Sequence, residues 1–266
     1  MNSLGYRGRE LAPSTTTPSH RIVLVGGSSA FSTGVASDAQ TFAVILEEEV
    51  GNGEVVNAAV IGFDSGQERV LLQTELLDLS PALVVALDGW NDLRLGRFNS
   101  RGTLLSAGFI QIENQSIIAS RSQQSLLFTL RSILLAPFPR TLAPVLRPTL
   151  RPFHATDLPG SINARVQQYT QNHAAMAAAC HAHGCSLLVI LQPDRDAMAD
   201  YQQFRKLAIE SHRLAGLDII DAADLINWTP REFMDQVHLT ASANRALASA
   251  VAHHLRSVYG PARLRP

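Results

Sequence analysis

Three short polar motifs in this chain carry the side-chain types of nucleophilic catalysis. Ser28 and Ser29 follow a pair of glycines at the end of an apolar run, VLVGGSS. Asp235 and His238 stand three residues apart in DQVH, and Asn91 lies in DGWND. A serine hydroxyl needs a base, the base needs an orienting partner, and a developing oxyanion needs hydrogen-bond donors. These residues could perform acyl transfer if the fold brings them together.

The glycine-rich stretch at 23–34 has two other interpretations. A phosphate-binding P-loop has a lysine before its serine or threonine, and GGSSAFSTG contains none. The Gly-x-Gly-x-x-Gly spacing of a dinucleotide-binding fingerprint is absent as well. These missing parts argue against nucleotide binding. A purely structural strand-to-helix turn stays open when the stretch is considered alone.

The polar motifs follow predicted β-strands, which would position them. Short apolar runs predict strands at 21–25, 55–60, 82–87, 187–191 and 218–220, and helical spacing predicts helices at 38–50, 67–79, 162–183, 201–215 and 242–258. This alternation indicates an α/β fold, a three-layer α/β/α sandwich with a mostly parallel sheet of about five strands. The loops at the carboxyl ends of parallel strands then meet at one edge of the sheet. Gly62, which follows the second strand, joins that edge.

The 266 residues are enough for one sizeable α/β domain. We predict an extended leader at 1–20, a single domain at 21–260 with an insertion at about 94–160, and a tail at 261–266. The insertion is rich in leucine and proline and is interpreted as a lid or pocket wall. A partner surface, a membrane-contacting patch and a core-packing excursion are its alternatives.

Composition narrows the function classes. A formal net charge of −1 offers no broad basic surface for nucleic acid. No stretch is apolar for long enough to span a membrane, and the first 20 residues lack the apolar core of a signal peptide. The 2 cysteines weakly favour a reducing compartment. We therefore expect a cytoplasmic protein with no transmembrane segment and no nucleic-acid partner.

In their order along the chain, these motifs resemble the blocks of the SGNH hydrolases, also called the GDSL esterase and lipase family. The resemblance runs from Arg21 to Leu255, except for the region after Asp92. The block that carries the nucleophile is matched by GGS at 26–28, the Gly-x-Asn-Asp block by 89–92 and the Asp-x-x-His block by 235–238. The glycine of the second block matches Gly62. The leader NSLGYRGRE is similar to the segment that precedes the first block in a bacterial branch of the family.

The resemblance implies a flavodoxin-like fold, an ester hydrolase and a role for each motif. Ser28 would be the nucleophile, His238 the general base and Asp235 its orienting partner. The backbone N–H groups of Ser28 and Gly62 and the side-chain amide of Asn91 would form the oxyanion hole. The implied reaction is hydrolysis of a small-molecule, lipid or sugar ester through an acyl-serine intermediate, with no metal or organic cofactor. An acyltransferase with the same residues and a non-catalytic SGNH-like binding domain are the alternatives.

Several positions near the motifs have more than one interpretation. Ser29 is the rival nucleophile, and Trp90 is either a substrate-binding wall or a packing residue. Ser32 stands where relatives with Gly-Gly-Ser usually have a glycine, which leaves the geometry of that turn open. The cluster CHAHGC at 180–185 has metal-ligand types, but it lies at a predicted helix end and is interpreted as structural.

Overall fold

Five parallel strands form the centre of the molecule in this computed structural model, which describes residues 1–12, 20–51, 53–94 and 161–263. The strands are β1 (Arg21–Gly26), β2 (Glu54–Asn57), β3 (Leu83–Asp88), β4 (Ser186–Leu191) and β5 (Ile219–Asp221). They lie in the order β2-β1-β3-β4-β5, and every pairing is parallel. The predicted α/β class and five-stranded sheet are confirmed. This order reverses direction between β1 and β3, which is where ligands bind in open α/β sheets.

Helices connect the strands along the chain. The helices are α1 (Ser28–Phe31), α2 (Phe42–Val50), α3 (Ser65–Thr74), α4 (Trp90–Arg94), α5 (Ile162–Ala182), α6 (Ala199–Leu214), α7 (Ala222–Leu225) and α8 (Ala241–Arg263). The predicted helix at 38–50 begins with a separate 3-10 turn, because Thr41 is extended and its side chain caps the N–H of Val44. The predicted helix at 67–79 starts earlier, because Asp64 and Gln67 form a capping box.

Each face of the sheet is covered by its own set of helices. Strand β1 alternates, so that Val23 and Val25 enter one buried cluster and Ile22 and Leu24 the other. Helices α3, α5 and α6 pack in the first cluster, and α2 and α8 pack in the second. The predicted three layers are thereby confirmed, and the carboxyl ends of the parallel strands lie at one edge of the sheet.

The N-terminal segment differs from the predicted extended leader. Residues 1–12 fold back onto the sheet, where Tyr6 is buried in the core and Asn2 is 9% exposed. The N–H of Arg7 pairs with the carbonyl of Asn57 at 3.2 Å, which adds an antiparallel bridge to the edge strand β2. Nearly all of the predicted insertion lies outside the described residues, as do positions 13–19 and 264–266. Within the described helices, none is long and apolar enough to cross a bilayer.

Candidate active site

Ser28 lies at a sharp turn between β1 and α1, where its hydroxyl contacts His238. A Cβ atom on Gly26 would lie 2.4 Å from the carbonyl oxygen of Leu87, so only glycine fits there. The chain then turns at once into α1, and Ser28 is the first residue of that helix. Its Oγ lies 2.8 Å from Nε2 of His238, although the two residues are 210 positions apart.

Asp235 holds His238 through a short local loop. Oδ2 of Asp235 lies 2.6 Å from Nδ1 of His238. Oδ1 accepts hydrogen bonds from the backbone N–H groups of Val237 and His238, both at 3.0 Å. Burial opposes ionisation, but these donors and the imidazole outweigh it and lower the pKa of Asp235. The carboxylate therefore stays ionised and accepts a hydrogen bond from Nδ1 of His238. In this tautomer Nδ1 carries the proton, and Nε2 is free to accept a hydrogen bond from the Ser28 hydroxyl.

Ser29 faces away from the imidazole. Its hydroxyl donates to the carbonyl of Val237 at 3.3 Å and accepts from Nε2 of Gln192 at 3.2 Å. Ser29 thus links α1 to the histidine loop, while Ser28 carries the contact with His238. Gln192 was not among the residues predicted from the motifs, although its place directly after β4 puts it at the same sheet edge.

Asn91 brings a side-chain amide beside the turn that carries Ser28. A Cβ atom on Gly27 would lie 2.4 Å from Nδ2 of Asn91, so the glycine makes room for this approach. One amide hydrogen of Asn91 is used in a 2.7 Å bond to the carbonyl of Phe63, which orients the group and leaves the second hydrogen. Gly62, which directly precedes Phe63 in the loop after β2, has a φ of 84°, a conformation that favours glycine.

Asp92 stabilises the sheet edge near Asn91 through hydrogen bonds of its side chain. Its buried carboxylate accepts hydrogen bonds from the N–H and the hydroxyl of Ser65, and Asn172 donates to the same hydroxyl at 2.9 Å. Burial, together with the charges of Asp88 and Asp64, raises the pKa of Asp92 well above its ordinary value. The hydrogen bonds between Asp92 and Ser65 join α4 to the start of α3.

The turn after Ser28 contains Ser32 in a left-handed conformation. Ser32 has φ 61° and ψ 52°, the left-handed conformation that a glycine would adopt without strain. Its N–H donates to the carbonyl of Ser29 at 3.0 Å. Its hydroxyl accepts from the N–H of Phe42 at 3.0 Å, at the first residue of α2. The hydroxyl thus adds a contact that glycine could not make.

Trp90 packs within the protein. Its ring meets Tyr201 edge to face with centroids 5.1 Å apart, and the guanidinium of Arg94 lies 4.8 Å from its ring centre. Arg94 is held by Asp200 through bonds of 2.6 and 2.9 Å. These contacts account for the packing interpretation of Trp90, and its contact with substrate stays a prediction.

A hydrogen-bonded chain of side chains lies buried behind the end of β3. Asp88 accepts a hydrogen bond from Tyr169 and lies 3.1 Å from Nε2 of His173. Nδ1 of His173 lies 2.9 Å from Nε2 of His212, whose own Nδ1 lies 2.8 Å from the carbonyl of Ala208. Burial and the neighbouring His173 lower the pKa of His212 to about 4, so its ring is neutral. Because a carbonyl only accepts, His212 donates from Nδ1, and His173 donates to it.

Glu68 places a second buried carboxyl group near this chain. Burial and the Asp88 carboxylate raise the pKa of Glu68 well above its ordinary value. One ligand atom from each of Glu68, Asp88 and His173 lies within 4.8 Å of the others, close enough to share a metal ion. Asp88 and His173 already use these atoms in hydrogen bonds, which a metal would have to displace.

The histidines and the cysteines at 180–185 lie in different environments. Cys180 and Cys185 are buried free thiols, whereas His181 and His183 are exposed. Nδ1 of His183 lies 2.9 Å from the carbonyl of Ala179, within the end of α5. The contact with Cys185, together with burial, raises the pKa of the Cys180 thiol. These positions fit the structural interpretation.

Comparison with solved structures shows where this fold occurs. TesA superposes with a TM-score of 0.57 at 17% identity, over 90% of this chain and 99% of that one. A putative lipolytic protein of the G-D-S-L family from Desulfitobacterium hafniense gives 0.54 at 10% identity, over 88% and 98%. A carbohydrate acetylesterase family member from Sinorhizobium meliloti gives 0.54 at 13% identity, over 91% and 99%. No protein-family model and no curated protein matches the sequence. The chain therefore has the fold of the GDSL, or SGNH, hydrolases.

Proposed function

We propose that this protein is a serine esterase that cleaves a carboxylic ester through an acyl-serine intermediate. The observation that supports it best is the continuous contact from Asp235 through His238 to Ser28, at 2.6 and 2.8 Å. The names of these structural neighbours, which include a lipolytic protein, a lipase/acylhydrolase and a carbohydrate acetylesterase, support an ester as the substrate class.

In the first half of the reaction, Ser28 is acylated. Its Oγ attacks the ester carbonyl while Nε2 of His238 takes the hydroxyl proton, and Asp235 stabilises the resulting imidazolium. The negative charge on the carbonyl oxygen is met by the N–H groups of Ser28 and Gly62 and the free amide hydrogen of Asn91. The tetrahedral intermediate collapses, the C–O bond to the alcohol breaks, and His238 returns the proton to the leaving alcohol.

In the second half, water releases the acyl group. His238 takes a proton from water, whose oxygen attacks the acyl carbon at the same oxyanion site. The bond to the Ser28 oxygen then breaks, and the serine recovers its proton from the imidazolium. The sum is ester and water giving carboxylic acid and alcohol.

The proposal is tested with a fluorophosphonate probe and a panel of aryl esters of increasing acyl length. We expect the probe to label Ser28 in the wild type and the panel to show turnover. Ser28→Ala should lose labelling and lower kcat by on the order of 10⁴- to 10⁶-fold. Ser29→Ala is the matched control, because the Ser29 hydroxyl contacts Val237 and Gln192 and not His238. This variant should still be labelled at Ser28.

Two results would contradict this assignment. Labelling at Ser29, or turnover that survives Ser28→Ala, would place the nucleophile elsewhere. A wild type that neither labels nor turns over any ester would favour the non-catalytic alternative. Products analysed with and without an added alcohol would separate hydrolysis from acyl transfer, since a transferase would form a new ester.

A further inference from the structure

Helix α1, which carries Ser28, is too short to be stable by itself. It has four residues, which is one turn, and an isolated turn of helix does not persist in water. The position of the Ser28 hydroxyl therefore depends on what holds α1 from outside. The carbonyl groups at the end of the helix show where those contacts come from, because buried carbonyls need hydrogen-bond donors.

Among the described residues, backbone N–H groups donate to the first carbonyls of this turn. Thr33 donates to the carbonyl of Ser28, and Ser32 donates to that of Ser29, both at 3.0 Å. The next carbonyl, that of Ala30, accepts from the side chain of Asn57 at 3.4 Å. The two that follow depend on a residue from the N-terminal segment.

Arg7 supplies the donors for those last two carbonyls. Its Nη1 donates to the carbonyl of Phe31 at 2.8 Å and to that of Ser32 at 3.0 Å. Its Nε donates to Asp38 at 3.0 Å, and the guanidinium lies 4.8 Å from the centre of the Phe31 ring. The side chain is only 13% exposed, so these bonds are partly shielded from water. A positive charge at the C-terminal end of a helix is also favourable for the helix dipole.

The N-terminal segment is built to hold Arg7 in this place. Asn2 accepts hydrogen bonds from the N–H groups of Leu4 and Tyr6 and donates to the carbonyl of Arg9 at 3.1 Å. The backbone of Arg7 pairs with Asn57, the same residue whose side chain reaches the carbonyl of Ala30. Arg7 and Asn57, at the end of β2, therefore both donate hydrogen bonds to carbonyl groups at the end of α1.

We propose that Arg7 is a positioning residue for Ser28, so that the N-terminal segment takes part in building the active site. This inference rests on the proposed esterase function. Arg7 acts through α1 and does not reach the reacting atoms, so its loss should affect the chemical step more than substrate binding.

The test compares Arg7→Met with Arg9→Met. Arg9 lies in the same segment, but its side chain is 67% exposed and, among the described residues, forms its ion pair with Glu47. We expect Arg7→Met to slow fluorophosphonate labelling of Ser28 and to lower kcat by about 10- to 100-fold with little change in KM, as expected for a displaced nucleophile. Arg9→Met should behave as wild type. In Arg7→Ala, guanidinium at non-denaturing concentration should restore part of the lost rate, which a general loss of stability would not allow.

A second readout is independent of activity. Hydrogen exchange should become faster in the peptide that contains α1 in Arg7→Met, and stay as in wild type in Arg9→Met. Unchanged labelling in an active Arg7→Met protein would overturn the inference, as would equal exchange in both variants. A wild type that lacks turnover would instead refute the proposed function, and the exchange experiment would still decide whether Arg7 orders α1.

Discussion

Replacement of Gly27 by alanine should disable the proposed oxyanion hole while it spares the contact between Ser28 and His238. Gly27 has a φ of −86°, so an alanine there suffers no left-handed strain. Its Cβ, however, would lie 2.4 Å from Nδ2 of Asn91 and 3.1 Å from the carbonyl of Phe63. The amide is the end of a side chain and can move, so we expect the fold to survive.

The size of the effect follows from that distance. To reach an ordinary contact of 3.4 Å, the Asn91 amide must move by about 1 Å, and its 2.7 Å bond to Phe63 would be strained or broken. Loss of one oxyanion donor costs about 10²- to 10³-fold in kcat. We therefore expect Gly27→Ala to lower kcat for an aryl ester by about 10²-fold, with KM and the melting temperature close to wild type.

A double-mutant cycle checks the route of the effect. If Gly27→Ala acts by displacing the Asn91 amide, adding it to Asn91→Ala should cost little more, because the donor is already gone. Gly66→Ala serves as a control for the added methyl group, since its Cβ would meet Asp64 at 3.2 Å, a contact that small shifts relieve. Fully additive losses in the cycle, or an unchanged kcat in Gly27→Ala, would refute the reasoning.

Two further outcomes are expected from the carboxyl groups. In Asp235→Asn, the oxygen that accepts the two backbone N–H groups must stay in place, so the amide NH₂ faces Nδ1 of His238 and forces the proton onto Nε2. We expect kcat to fall by about 10⁴-fold, and by less in Asp235→Ala, where water can replace the carboxylate; equal rates in the two variants would contradict the tautomer argument. Burial in the folded protein raises the pKa of Glu68, so the folded state holds a proton that the unfolded state releases above its pKa of about 4.3. The free energy of unfolding of the wild type should therefore fall as the pH rises above that value. The expected slope is about 1.4 kcal/mol per pH unit until the folded pKa is reached. Melting temperatures measured against pH should decline less steeply in Glu68→Gln, whereas the exposed Glu48→Gln should follow the wild type.

The architecture could be predicted from the sequence because it depends on local patterns. Each central strand is a short apolar run, and a run that is buried on both faces indicates a parallel sheet. The alternation of strands with helices then places Ser28, Gly62 and Asn91 after three different strands, at the same sheet edge. The boundaries were less predictable, because single residues such as Thr41 and Asp64 decide where a helix begins.

The Asp-x-x-His motif was readable for the same reason. Its two side chains are three residues apart, and the loop between them is closed by local hydrogen bonds such as that from the N–H of Val237 to Asp235. A geometry that is set within four residues leaves a signal in the sequence.

Only the tertiary structure decided the contacts between distant segments. Ser28 and Ser29 are adjacent and chemically alike, and what separates them is which one faces His238 and which one faces Gln192. That choice depends on how α1 is oriented against a loop more than 200 residues away.

The same limit applies to charged residues whose partners are remote. In the sequence Arg7 stands in a polar leader beside Arg9, and nothing local distinguishes the two. In the structure Arg7 meets carbonyl groups 24 and 25 residues away, while the guanidinium of Arg9 is largely exposed. Local propensity and periodicity determine the helices and strands. The burial and pairing of a polar side chain depend instead on which helices and strands pack together, because the free energy of that side chain is set by neighbours from distant parts of the chain.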